Sequence, residues 1–63
     1  MKISAFENDE ITIILVDIDT DETAGEIDRM TDFTRGDLPP REAAEDWCAT
    51  YGHTLVEWEG EAV

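Results

Sequence analysis

Ile11-Thr12-Ile13-Ile14-Leu15-Val16-Asp17-Ile18 is the stretch on which the fold of this chain turns. β-Branched residues dominate it, and their stiff side chains suit a pleated surface. Its apolar residues fall on both alternating faces. A strand with one wet face would alternate apolar with polar residues, so this run predicts a central strand covered on both sides. Upstream, Asn8-Asp9 carries turn chemistry, and residues 2–7 (Lys2-Ile3-Ser4-Ala5-Phe6-Glu7) alternate loosely. The two runs predict a hairpin.

Downstream the pattern fits two structures. Ala24, Ile27, Met30 and Phe33 recur every three residues, and Thr23 with Glu26 has capping-box spacing, which suits a helix. Alternatively, residues 19–25 form a polar turn with Gly25 at positive φ, and residues 26–33 return as an antiparallel strand. The strand is the expectation, because Gly25 inside a helix costs about 0.8–1 kcal/mol relative to Ala.

Residues 40–51 read as a helix. Pro39-Pro40 suits its start, where a missing N–H costs nothing. Ala44, Trp47, Cys48 and Tyr51 form one apolar stripe, and Gly52 supplies the stop. Residues 53–59 give a last strand with Leu55, Val56 and Trp58 as its apolar members, and residues 60–63 are expected to fray. The predicted fold is α+β: a single domain over residues 1–63, in the order β-β-β-α-β, with one helix on a small, largely antiparallel sheet.

A chain of 63 residues has room for one thin core. Domains near this size bury only about 60% of their unfolded surface. Cys48 has no second cysteine to pair with, and Cys48 plus His53 fall short of a zinc set. No cofactor is expected. The longest apolar run, residues 13–16, is too short to span a membrane, and Glu7, Asp9 and Glu10 do not suit a signal peptide. A cytoplasmic setting is the expectation.

Charge is the outlying property. Seventeen acidic residues stand against Lys2, Arg29, Arg35 and Arg41, a formal net charge of -13. Direct contact with DNA, RNA or an anionic membrane is disfavoured, and basic protein surfaces are favoured as partners. High net charge is also a mark of disorder, but 41% hydrophobic residues in regular patterns argue for a folded domain.

Local motifs do not assemble a catalytic set. Ile14-Leu15-Val16-Asp17-Ile18-Asp19-Thr20 resembles the Asp-x-Asp strand end of haloacid-dehalogenase-type phosphatases, but Asp21 stands where Thr or Val should follow and the surrounding α/β domain has no room. Asp17, Asp19, Asp21 and Asp28 match positions 1, 3, 5 and 12 of an EF-hand loop, yet Glu22 replaces its essential glycine. Arg35-Gly36-Asp37 reads as a turn before the prolines, and Cys48 as a small core residue. Trp47 and Trp58 are expected as core anchors, with an exposed Trp58 in an acidic rim as the alternative. An enzyme is not expected.

The carboxylates are the remaining constellation. Asp17, Asp19 and Asp21 alternate through a strand end, where i and i+2 positions lie about 6.6–6.8 Å apart. Such a row can imitate phosphates before a Lys/Arg groove. Glu22, Glu26 and Asp28 extend this patch; Glu42, Glu45 and Asp46 make a ridge on the helix; Glu57, Glu59 and Glu61 make a third.

A short, strongly acidic α+β chain of this kind resembles phage-encoded inhibitors that mimic DNA, including anti-CRISPR and anti-restriction proteins. The resemblance rests on size and charge pattern over the whole chain. It implies binding to a basic nucleic-acid-binding protein, such as a CRISPR effector subunit, and exclusion of that protein's DNA. The residues it nominates are Asp17, Asp19, Asp21, Glu22, Glu26 and Asp28, then Glu42, Glu45 and Asp46. Two other readings stand beside it. One Lys against three Arg, seven Thr and abundant acid also suit a high-salt cytoplasm. The doubly apolar strand suits a homodimer joined through a sheet face, because one helix covers only one side.

Overall fold

A computed structural model describes residues 1–59; the expected fraying of residues 60–63, and Glu61 with it, lie outside them. Four strands form one mixed sheet: β1 (Lys2–Glu7), β2 (Thr12–Asp17), β3 (Glu22–Asp28) and β4 (Thr54–Trp58), in the order β3-β2-β1-β4. One helix, α1 (Pro40–Tyr51), joins β3 to β4, preceded by a short 3-10 turn over Arg35–Asp37. The α+β fold and the β-β-β-α-β order expected from the sequence are present. β1–β2 and β2–β3 pair antiparallel, while β1–β4 pair parallel.

The β1–β2 hairpin closes where Asn8-Asp9 stands. The Asp9 carboxylate accepts the N–H groups of Ile11 (2.9 Å) and Thr12 (2.8 Å). These bonds, led by the Ile11 N–H, hold the Asp9 carboxyl below the usual carboxylate value.

The next turn differs from its expectation. It occupies residues 18–21 rather than 19–25, and the left-handed residue is Asp21 (φ 60°), not Gly25. Asp17 organises it: its carbonyl accepts the Asp21 N–H at 2.7 Å and its carboxylate accepts the Asp19 N–H at 3.0 Å. Aspartate is among the few non-glycine residues that visit the left-handed region. The tighter turn starts β3 four residues earlier than expected, at Glu22 instead of Glu26. Asp28 ends the strand, its carboxylate accepting the Met30 N–H and its carbonyl the Asp32 N–H.

Gly25 serves packing instead. It lies opposite Leu15 on β2, and a Cβ there would overlap the Trp47 indole. The strand keeps a glycine so that the largest helix side chain can lie on the sheet.

Ile3 and Ala5 of β1, Ile13 and Leu15 of β2, and Ile27 of β3 meet Ala43, Ala44, Trp47 and Cys48 of α1. Leu55 and Trp58 of β4 close the flank, so Trp58 is a core anchor as expected. The helix stripe differs by one position at each end: Ala43 is buried and Tyr51 is 59% exposed, its ring 4.8 Å from Trp47. Gly52 (φ 73°) caps the helix as anticipated, its N–H and that of His53 taking the last carbonyls.

The sheet has a second face, and no element of the described residues covers it. The Cα extents are 28 × 26 × 15 Å, and the short dimension accommodates one helix layer and one sheet layer. The central-strand expectation holds for position, since β2 lies inside the sheet, but among the described residues its second apolar set has no covering layer.

Candidate partner-binding surface

Strand alternation and register assign the residues of the open face. Ser4 pairs with Val16, and Phe6 with Ile14. Ile14 pairs in turn with Glu26, Thr12 with Asp28, and Val16 with Thr23 across an irregular step after Leu15. On the other flank Ser4 pairs with Glu57, whose carboxylate accepts the Ser4 hydroxyl at 3.4 Å. The Glu59 N–H bonds to the Ala5 carbonyl, which brings Glu59 to the level of Phe6.

The face is thus built in rungs. One runs Glu57, Ser4, Val16, Thr23; the next runs Glu59, Phe6, Ile14, Glu26. The second rung has apolar side chains on both middle strands and a carboxylate at each edge, about 14 Å apart by three inter-strand spacings; the first has Ser4 beside Val16 and a carboxylate only on the β4 edge. On each edge the acids are two residues apart, Glu26 with Asp28 and Glu57 with Glu59, the spacing anticipated for a row along a strand.

The nominated acidic residues do not form one patch. Asp17 and Glu22 pair with each other at one end of the sheet, on its helix side, since Asp17 also pairs with Ile3. Asp19 and Asp21 sit in the turn beyond the end of β2, so the regular 6.6–6.8 Å row stops at Asp17. Glu26 and Asp28 lie on the open face. Glu42, Glu45 and Asp46 are on α1, across the sheet from it. Among the described residues no three His, Cys, Asp or Glu side chains gather as a cation-binding group, so the EF-hand spacing of Asp17, Asp19, Asp21 and Asp28 does not become a coordination cage.

The arginines decide which carboxylates are neutralised. Arg35, partly buried in the loop between β3 and α1, bridges that loop to the helix: its Nη1 donates to the Asp32 carboxylate at 2.9 Å and its Nη2 to the Thr50 hydroxyl at 3.0 Å. Its Nε is 3.0 Å from the Asp46 carboxylate, close enough to pair charges but out of line for a hydrogen bond. The Arg35 backbone N–H and guanidinium together hold the Asp32 carboxyl below the usual range. The Arg of the Arg-Gly-Asp tripeptide is therefore an internal staple. Arg29 donates to the Leu38 carbonyl at 3.0 Å, and exposed Arg41 pairs with Glu45 at 3.3 Å.

All three arginines thus act on or beneath the helix side. Lys2 is exposed, lies by alternation on the open face, and makes no ion pair among the described residues. Sequence alone makes Glu57 and Glu59 a third ridge; that Glu59 stands level with Glu26 across the sheet follows from a register that no local pattern supplies.

Cys48 is buried, and desolvation pushes its thiol pKa up, which keeps it protonated and a poor nucleophile. The His53 ring lies 5.6 Å from that of Trp47, tilted by 36°. No helix among the described residues is long and apolar enough to cross a membrane. No family model, curated protein or solved structure matches the chain.

Proposed function

We propose that this protein is a non-enzymatic, acidic binding domain that occupies the basic, nucleic-acid-binding surface of another protein and so excludes DNA or RNA from it, in the manner of an anti-CRISPR-like inhibitor. One observation carries the reading: the arginines pair with acids of the helix and its preceding loop or bond to the Leu38 carbonyl, so among the described residues the carboxylates of the open face and its turn make no ion pair, and Lys2 on that face makes none either. Two edge rows of acids held by a sheet give the negative charge a fixed geometry, and fixed charge steers and selects basic partners.

A host cell cytoplasm is the setting this function requires, and a CRISPR effector subunit is one partner of the right chemistry. The test is affinity capture on the immobilised protein from prospective host lysates at low and moderate salt. Recovery of a nucleic-acid-binding protein that duplex DNA releases is the expected result. Retention that duplex DNA leaves untouched would count against mimicry.

High-salt adaptation remains the rival explanation of the acidity, and it differs in folding behaviour. An environmental surplus of charge requires salt to screen it before the chain folds, whereas a binding domain folds at low salt and loses its partner as salt rises. Circular dichroism from low to molar salt separates the two.

A further inference from the structure

We infer that the partner docks on the helix-free face of the sheet, and that it presents apolar side chains flanked by arginine or lysine. This rests on the proposed function and specifies its surface. Phe6, Ile14, Val16 and Ile18 form a contiguous apolar strip along β1 and β2, and Ile18 is 39% exposed. Above part of it lies a shallow cleft of about 280 Å³, floored by Phe6, Val16 and Ile18 and walled by Asp21, Glu57 and Glu59.

An apolar floor with carboxylate walls fits a long basic side chain, whose methylenes lie on the floor while its head reaches the acids. The left-handed Asp21 backbone brings that residue to the cleft, which gives the turn a use beyond reversing the chain. Across the strip, Glu26 continues the same logic on the opposite edge.

Charge selects the occupant. Two copies packed through this face would set Asp21, Glu57, Glu59, Glu26 and Asp28 of one against the like-charged rim of the other, and the pair would double a net charge of -13. A basic-rimmed partner covers the same apolar strip while neutralising that rim. The helix side differs: exposed Tyr51 and Phe33 border a cleft there, but Arg35 also lines it, already paired with Asp32 and Asp46, and Glu45 pairs with Arg41, so its carboxylates are less free for a basic partner.

Two probes test this with the whole chain: an alternating Leu-Arg hexapeptide and hexa-arginine, each titrated into ¹⁵N-labelled protein at low salt. The alternating peptide is expected to shift the amides of Ser4, Phe6, Val16, Ile18 and Glu57, leaving Glu42 and Glu45 nearly still. The variant Val16→Thr/Ile18→Thr, which keeps β-branched side chains, should weaken the alternating peptide about tenfold and hexa-arginine about twofold or less. Shifts centred on α1, or equal weakening of both peptides, would overturn the docking site while leaving the general reading intact. Failure of both peptides to bind at all would remove the general reading too. A dimer in sedimentation equilibrium that the same two substitutions disperse would assign the face to a second copy instead.

Discussion

The two faces of the sheet begin from similar sequence and end in different states. Ile13 and Leu15 of β2 are fully buried beneath Trp47 and Cys48, whereas Ile14 and Val16, one residue along, are only half-buried and meet no covering layer. A 12-residue helix closes one side, and nothing among the described residues closes the other. Carboxylates follow the same division. Those on the helix side are partly paired with arginine, and those bordering the open side are not. The described residues supply one covering layer, so the uncovered apolar strip is where a binding function has room to reside.

The sharpest way to break this comparison is to remove its covering layer. Trp47→Ala takes out the side chain that fills the space above Gly25 and should cost about 3–5 kcal/mol. Small domains have stabilities of about 5 kcal/mol, so the variant should keep at most about 2 kcal/mol and melt at a much lower temperature than the parent. Gly25→Ala, which forces a methyl into the indole, should cost about 1–3 kcal/mol in denaturant titration. The same exercise on the open face should look different. Ile14→Thr and Val16→Thr should each cost at most about 1 kcal/mol, because neither deletion leaves a cavity under a second layer. Equal losses on both faces would mean that the second side is also closed.

Much of this was legible in the chain itself. β-Branched density placed β2, the proline pair and Gly52 fixed α1 at Pro40–Tyr51, and Asn8-Asp9 marked the first turn. The second turn departs from its expectation because glycine normally answers the need for positive φ, and here Asp21 answers it while Gly25 makes space for Trp47. That second role depends on a residue twenty-two positions away, which no local pattern reports. The acidic surplus was visible as a number, but its division was not: which carboxylates remain unpaired depends on where Arg35 and Arg41 reach. The rungs joining Glu26 to Glu59 depend on β1 lying between β2 and β4, a topological fact rather than a sequence one.

A smaller effect sharpens the electrostatic side. Asp32 has a lowered pKa in the folded chain, so the stability it contributes is present above the usual carboxylate value of 3.8 and is lost as pH falls through its depressed folded value. Asp32→Asn should therefore flatten the acid limb of a melting-temperature profile below about pH 4, with little change in slope near neutrality. An unchanged acid limb would mean that the Asp32–Arg35 staple contributes nothing to the fold.

Matched pairs of neutralised acids test the division between the faces most directly. Glu57→Gln/Glu59→Gln and Glu42→Gln/Glu45→Gln change the net charge equally, so any difference in binding reads position rather than total charge. Isothermal titration of each with the alternating Leu-Arg hexapeptide at low salt should show the open-face pair weakened about tenfold, roughly 1.4 kcal/mol, and the helix pair about twofold or less. Equal losses, or a larger loss for the helix pair, would contradict the assignment of binding to the open face.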